Sequence, residues 1–331
     1  MSVPFTLLSG FLGSGKTTLL NRILKEDHGE RIAVMVNDFG DVNIDASLIV
    51  ESSATRVTLE NGCICCTIRD DLMNSVQELL KLPEPPDRVV VEMSGIAEPG
   101  AVLRTFALME KSWPLHLDGV VAVVDAEHFP AEGEPHHVLA REQMALADLV
   151  VVNKVDLVTA AERERLFAEL ARWVPHARIV PASYAEVPLE VVLGIGRAAG
   201  DADEAAPHAP HGFSTFTFRE SAPLALDKLR TVFTELPPTV YRAKGFVQLA
   251  DKPEARAVLQ VVGRRARLSL GEPWREGEAR ESVIVLIGEE GAMDPSELSA
   301  TLRSTLADSA VRSPLLGAIE WIRSRFPRPR R

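Results

Sequence analysis

The sequence predicts an α/β fold, in which a parallel sheet covered by helices is followed by a smaller α+β domain. Short, continuous apolar runs alternate with amphipathic stretches from residue 5 to about residue 195, as a parallel sheet buried on both faces requires. A glycine-rich loop follows the first of these runs, and after residue 212 the runs become longer and alternate in polarity. These three observations predict the fold class.

Strands of the first domain are predicted wherever a short apolar run continues without alternation, since the central strands of a parallel sheet are buried on both faces. These runs are 3–8, 31–37, 88–93, 119–124, 148–152 and 178–181. Helices are predicted over 18–25, 69–80 and 160–173 from their amphipathic spacing. Thr159 and Glu162 have the spacing of a capping box at the start of the last helix.

Length and a change of pattern divide the 331 residues into two domains, because single cores stop growing near about 250–300 residues. Residues 196–212 are rich in small, acidic and proline residues, which predicts a linker between domains over 1–195 and 213–331. The second domain has helical patterns at 225–235 and after Asp294, and its predicted strands are 213–219, 240–249, 258–262, 266–270 and 282–287. This order predicts a small antiparallel α+β domain.

Composition disfavours two classes of partner. With 36 Lys and Arg against 47 Asp and Glu, the net charge of −11 argues against nucleic acid. The apolar runs fall short of the about 18–20 residues that a membrane span needs, and the amino terminus lacks the basic flank and apolar run of a secretory signal. We therefore expect a cytoplasmic protein that binds neither nucleic acid nor membrane.

A phosphate-binding loop follows the first predicted strand. Residues 10–17 read Gly-Phe-Leu-Gly-Ser-Gly-Lys-Thr, the full Gly-x4-Gly-Lys-Thr motif of a P-loop NTPase. Lys16 is expected to reach the β- and γ-phosphates as a catalytic residue, and the Thr17 hydroxyl is expected to bind Mg²⁺. The predicted nucleotide-binding residues of this segment are Gly10, Gly13, Ser14, Gly15, Lys16, Thr17 and Thr18.

A second motif predicts which base the nucleotide carries. Asn153, Lys154 and Asp156 form an Asn-Lys-x-Asp sequence at the end of a predicted strand, the edge at which α/β sheets bind ligands. The Asp156 carboxylate can accept hydrogen bonds from both the ring N–H and the exocyclic amine of guanine, whereas adenine would leave the charge unpaired. The prediction is GTP and its product GDP, with ATP as the alternative.

Acidic residues at two further strand ends predict the magnesium site and the switch segments. Glu92 ends a predicted strand and is expected to hold Mg²⁺, while the Gly95 backbone is expected to meet the γ-phosphate. Asp38 follows another strand and is a candidate to position the attacking water. The alternative is that Asp38 and Glu98 are turn or capping acids.

All three cysteines lie in one short segment, Cys63, Cys65 and Cys66. Consecutive Cα atoms are about 3.8 Å apart, short of the about 4.4–6.8 Å usual for a disulfide, so Cys65 and Cys66 are poor disulfide partners. Three thiolates can instead occupy one face of a tetrahedral soft-metal site and leave its fourth position open for transfer. Buried inert cysteines and a redox pair are the alternatives.

The chain resembles the CobW-like GTPases, relatives of the nickel-insertion GTPases of urease and hydrogenase maturation. The resemblance rests on four motifs in this order: the P-loop, the Cys-x-Cys-Cys segment, the stretch from Glu92 to Pro99 and Asn-Lys-x-Asp. The segments 241–246, 263–265 and 271–274 resemble that family's C-terminal domain. The resemblance implies a metallochaperone or metal insertase that hydrolyses GTP slowly. Many relatives carry Asn-Glu-Phe-Gly-Glu where this chain has Asp38 and Asp41, so we expect the shorter acids to alter the geometry, with Asp41 as a further metal ligand.

The resulting hypothesis is that GTP with Mg²⁺ closes the thiolate site and that hydrolysis releases the metal to a client metalloprotein. Zinc is the expected metal, with cobalt as the alternative. Other functions considered are delivery of cobalt or iron to one enzyme or pathway, such as nitrile hydratase or cobalamin synthesis, and a thiol redox sensor.

His136 and His137 are expected in a loop, and His208 and His211 in the linker. A homodimer is a possible assembly.

Overall fold

The computed structural model describes residues 2–26, 28–36, 56–58, 74, 76–95, 99–110, 112–130, 133–134, 136–194, 212–274 and 278–307. The chain divides into two compact units, Met1–Ile195 and Gly196–Arg331. The first contains a parallel sheet with helices and the second an antiparallel sheet with two helices, which confirms the predicted fold class. Nearly all of the predicted linker lies outside the described residues.

The first unit is built on a seven-stranded parallel sheet in the order β3-β2-β4-β1-β5-β6-β7. Strands β4 and β6 are buried along their whole length, which explains their continuous apolar sequences. The strands are β1 (Val3–Ser9), β2 (Ile32–Val36), β3 (Arg56–Thr58), β4 (Arg88–Glu92), β5 (Leu115–Asp125), β6 (Leu149–Asn153) and β7 (Arg178–Pro181).

The described connections between these strands contain helices, as parallel pairing requires. They are α1 (Lys16–Lys25), α2 (Pro99–Met109), α3 (His137–Met144), α4 (Ala160–Trp173) and the short α5 (Leu189–Val192), with a 3-10 turn at Val155–Leu157. Residues 76–81 are also helical. None of the helices in the described part of the chain has both the length and the apolar content needed to cross a bilayer.

Strand β5 begins earlier than the predicted residue 119. Two buried polar residues, His116 and Asp118, lie in its first part and interrupt the apolar run. The Arg88 guanidinium donates to the Asp118 carboxylate at 3.1 Å, and the Thr6 hydroxyl donates to the same oxygen at 3.4 Å. Such pairing allows a carboxylate to be buried in a sheet. The two polar residues interrupt the apolar run, however, so the run alone predicts a strand that starts too late.

The placement of His136 and His137 in a loop is wrong for His137. His136 precedes α3 with a left-handed φ of 69°, and His137 is the first residue of the helix. Its ring is buried and meets Trp173 edge-on, with 4.9 Å between ring centroids. Ala140 and Met144 share the same buried face, so an aromatic contact explains this histidine.

The second unit is a five-stranded antiparallel sheet in the order β11-β10-β9-β12-β8. One apolar cluster joins the sheet to its two helices. The strands are β8 (Phe213–Glu220), β9 (Val240–Gln248), β10 (Ala255–Val262), β11 (Arg265–Pro273) and β12 (Ser282–Glu289), and the helices are α6 (Leu226–Thr234) and α7 (Pro295–Arg303). Asp294 caps α7 by accepting from the Ser296 and Glu297 N–H groups, as predicted.

Candidate functional site

The phosphate loop lies between β1 and α1, at the carboxyl edge of the parallel sheet. It needs glycine at three turns, because Gly10, Gly13 and Gly15 have φ values of 138°, 72° and 106°. A Cβ on Gly10 would lie 2.2 Å from the Val123 carbonyl oxygen. The side chain of Lys16 is largely buried and donates to the Phe11 carbonyl at 3.1 Å. The ammonium group is therefore held within the loop at the start of α1.

Thr17 and Glu92, both predicted from sequence, come together beside this loop. The Thr17 hydroxyl donates to the Glu92 carboxylate at 3.1 Å, and Glu92 is 2% exposed. The contact follows from topology, since β4 pairs with β1 in a register that puts Glu92 opposite Leu8. A hydroxyl and a carboxylate are hard oxygen ligands of the kind Mg²⁺ prefers. The donor set fits that ion.

Gly95 follows Glu92 and lies close against the phosphate loop. A Cβ on Gly95 would lie 2.6 Å from the Leu12 side chain, so glycine permits the close packing. The Gln143 side-chain amide of α3 donates to the Gly95 carbonyl at 2.7 Å, and Gln143 is buried. The Ser9 hydroxyl in turn donates to the Gln143 carbonyl at 3.1 Å. Gln143 thus joins α3 to the segment predicted to sense the γ-phosphate.

Gln143 was not found by sequence reasoning. It occurs in no motif, and its partner is 48 residues away in the chain. One feature of the sequence could have indicated it, because a glutamine between Ala140 and Met144 interrupts the apolar face of an amphipathic helix.

Asn153 bridges the phosphate loop and the loop after β7. Its amide donates to the Ser14 carbonyl at 2.9 Å and accepts from the Ala185 N–H at 2.8 Å. The residue is 3% exposed. A Cβ on Gly15 would lie 2.3 Å from the same amide nitrogen. Asn153 therefore contacts protein groups and fixes two loops, rather than projecting into open space.

The two other residues of the predicted guanine motif differ in their surroundings. Lys154 has a left-handed φ of 62°, and its ammonium group lies 2.6 Å from the Asp125 carboxylate at the end of β5. Burial alone would raise the pKa of Asp125, but hydrogen bonds from Lys154 and from the Glu127 N–H outweigh it and lower that pKa. Asp156 is exposed in the turn that follows. Its carboxylate is accessible to a base.

A cavity of about 280 Å³ lies between the phosphate loop and the end of β5. The phosphate loop contributes Gly10 to Gly13, while Asp125, Lys154 and α3 form other walls. Every described residue predicted to bind nucleotide or Mg²⁺ lies at this sheet edge, in the phosphate loop, in the first turn of α1, or at the carboxyl ends of β4 and β6 and just after them. The predicted residues Asp38, Asp41, Cys63, Cys65, Cys66, Glu98, His208 and His211 lie outside the described residues, and their roles stay predictions.

Comparison with known protein families gives matches to two models. Residues 4–181 match "CobW/HypB/UreG, nucleotide-binding domain", and residues 213–306 match "Cobalamin synthesis protein cobW C-terminal domain". The first match alone covers more than half of the chain.

Individual relatives are similar along most of their length. A zinc chaperone CobW of Pseudomonas aeruginosa is 33% identical, with 92% of each chain covered. The zinc chaperone YjiA of Escherichia coli is 31% identical, over 86% of this chain and 94% of that protein. A crystal structure of Zn(II)-bound YjiA GTPase from E. coli matches at 26% identity and a TM-score of 0.46, over 93% of this chain and 100% of that one.

Proposed function

The chain belongs to the CobW/HypB/UreG family of P-loop GTPases, and from that premise we propose that it is a GTP-dependent zinc chaperone. It binds Zn²⁺ through three cysteine thiolates and transfers the ion to a client metalloprotein as GTP is hydrolysed. The observation that carries this proposal is the convergence, at one sheet edge, of the phosphate loop, the Thr17–Glu92 contact and the Asn-Lys-x-Asp motif.

Each part of the nucleotide has a group suited to it. The backbone of the phosphate loop and Lys16 hold the phosphates, and the loop lies at the amino end of α1, where the helix dipole favours anions. Thr17 and Glu92 supply oxygen ligands for Mg²⁺. Asp156 is exposed, and its carboxylate accepts hydrogen bonds from two N–H donors of the guanine base. When bound, Mg²⁺ neutralises charge that develops on the phosphates.

Zn²⁺ is the cargo of the proposed reaction rather than a resident cofactor. Cys63, Cys65 and Cys66 offer soft ligands that bind Zn²⁺ as thiolates and leave one position of a tetrahedral ion open to the client. Thiols of this kind stay reduced in the cytoplasm, where we place the reaction. The relatives named as zinc chaperones support zinc over cobalt.

The segment 38–98 provides the proposed coupling, because it contains the cysteines between the two switch candidates, Asp38 and Gly95. GTP with Mg²⁺ orders both switches and closes the thiolate site. Loss of the γ-phosphate removes that order and weakens the hold on Zn²⁺.

The test is a Zn²⁺ titration of the full chain against a chromophoric chelator, with Mg²⁺ and either a non-hydrolysable GTP analogue or GDP. We expect at least about fivefold tighter Zn²⁺ binding with the GTP analogue, the lower end of typical allosteric coupling. A matched ATP analogue should have no effect, because Asp156 rejects adenine. Replacing all three cysteines by serine should abolish the nucleotide-dependent component. Equal Zn²⁺ affinity with the GTP analogue and GDP would exclude the coupling, since a ligand without differential binding shifts no equilibrium.

A further inference from the structure

Three metal-ligating side chains converge just after β5, apart from the cysteine segment. They belong to Asp125, Glu127 and His128, and one ligand atom from each lies within 4.8 Å of the others. The His128 Nδ1 atom is 3.3 Å from an Asp125 carboxylate oxygen and 3.5 Å from a Glu127 carboxylate oxygen. In a tetrahedral Zn²⁺ site with bonds of about 2.0–2.2 Å, neighbouring ligand atoms are about 3.3–3.6 Å apart. Both measured distances match that spacing.

Backbone hydrogen bonds hold the Asp125 carboxylate in place. One of its oxygens accepts from the N–H groups of Glu127 and His128, at 2.9 and 3.3 Å. The Ala126 N–H donates to the Asn153 carbonyl at 2.9 Å and so fixes the turn to the neighbouring strand. The second carboxylate oxygen is left facing the His128 ring. Part of the ligand set is therefore already ordered, while Glu127 and His128 are exposed and open to an ion from solvent.

The Lys154 ammonium group competes with a cation for this position. It lies 2.6 Å from the same Asp125 oxygen that faces His128. A dication bound there would repel the ammonium group and remove its partner. Lys154 also belongs to the predicted guanine motif, so the cluster is one side chain away from the proposed base site.

We propose that Asp125, Glu127 and His128 form a second transition-metal site, which takes a borderline dication such as Zn²⁺ in competition with the Lys154 ammonium group. An imidazole with two carboxylates favours Zn²⁺ over Mg²⁺, which prefers oxygen ligands throughout. Water completes the coordination. The site is separate from the cysteines and goes beyond the proposed function.

The experiment uses the full chain with Cys63, Cys65 and Cys66 replaced by serine, without nucleotide, so that thiolate binding and the GTPase cycle do not contribute. Zn²⁺ alone is titrated against a chromophoric chelator. His128→Gln and Glu127→Gln should each weaken Zn²⁺ binding at least about tenfold, because the loss of even an outer-shell partner of a metal ligand costs about 10–100-fold in affinity. Glu164→Gln, which changes another exposed glutamate, on α4, is the matched control and should change nothing.

The deciding variant is Lys154→Gln, which removes the competing charge and should tighten Zn²⁺ binding several-fold. A surface histidine that binds metal adventitiously would not respond to it. Equal affinities in His128→Gln and the control, or no gain with Lys154→Gln, would overturn the proposal. If the triple serine chain does not fold, the unmutated chain with alkylated thiols serves instead. Nucleotide-sensitive Zn²⁺ binding by the intact cysteines is measured separately, so either proposal can fail without the other.

Discussion

At the scale of single residues, Asn153 supports the phosphate loop, and the absence of a side chain at Gly15 leaves space for the Asn153 amide. A Cβ at Gly15 would lie 2.3 Å from the Asn153 amide nitrogen, which donates to the phosphate loop, while the amide oxygen accepts from the loop after β7. We expect Gly15→Ala to lower the free energy of unfolding by about 3–5 kcal/mol, because backbone strain at φ 106° and the loss of those bonds each contribute about 1–3 kcal/mol. Urea unfolding without nucleotide measures this.

Gly13→Ala is the matched control for that substitution. Gly13 also has a positive φ of 72°, but nothing lies within 4 Å of an added Cβ. It should lose only the about 1 kcal/mol expected for a left-handed alanine. If both variants were equally destabilised, the contact with Asn153 would not explain the glycine at position 15.

Residues within contiguous motifs could be predicted from the sequence, and residues joined only by the fold could not. The positions of Lys16, Thr17 and Glu92 beside the phosphate loop followed from motifs that place such residues at fixed distances from a strand, and their roles toward phosphate and Mg²⁺ stay predictions. Gln143 and Asp125 were missed because their partners, Gly95 and Lys154, reach them through tertiary structure.

At the scale of elements, the first turn of α4 contains the capping contacts that start the helix. The Thr159 hydroxyl accepts from the Glu162 N–H, and the Glu162 carboxylate accepts from the Thr159 N–H. Thr159→Ala should cost about 1 kcal/mol of unfolding free energy, with GTP hydrolysis unchanged at temperatures where the chain stays folded. Thr159→Ser keeps the hydroxyl and should retain most of the stability. A loss as large with serine would indicate that the methyl group, rather than the cap, is responsible.

Helix α3 carries the second prediction at this scale. Gln143→Leu keeps a side chain of similar size but removes the donor to the Gly95 carbonyl. If Gly95 meets the γ-phosphate, kcat for GTP hydrolysis should fall about tenfold or more through misplacement of the switch. GDP affinity should change little, because GDP lacks that phosphate. Single-turnover hydrolysis and GDP titration measure the two effects.

Glu142→Leu changes the exposed neighbour on the same helix and serves as the control for Gln143→Leu. It should leave both kcat and GDP affinity near those of the unmodified chain. An equal loss of GDP affinity and kcat in Gln143→Leu would point to general damage of the phosphate loop instead of a role in positioning Gly95.

Most elements followed from apolar runs and caps, and the departures at β5 and α3 share a physical cause. The early part of β5 contains His116 and Asp118, and the start of α3 contains His137. These polar side chains are buried, and for Asp118 and His137 the stabilising partners, Arg88 and Trp173, come from distant parts of the chain. Local periodicity cannot reveal such partners, so β5 was predicted to begin at residue 119 instead of Leu115, and α3 was not predicted.

At the scale of the whole molecule, each of the two units has its own apolar core. All described residues that are predicted to bind nucleotide lie in the first unit. Calorimetric unfolding should therefore resolve two transitions, and GDP with Mg²⁺ should raise the midpoint of one alone. At a ligand concentration of about 100 times Kd the stabilisation is about 2.7 kcal/mol. A single transition that moves as a whole with GDP would show that the cores unfold together.

All strands of the first sheet run in the same direction, so the residues predicted to bind nucleotide lie along one rim, at the carboxyl ends of the strands. The loop over 82–87 precedes β4 and lies at the other rim, where the Arg31 guanidinium anchors it through Glu84 and Asp87. The Glu84 side chain is 83% exposed. A fluorescent dye or surface tether attached there would leave the predicted nucleotide site accessible from the opposite edge, which makes this loop a suitable attachment point for single-molecule work.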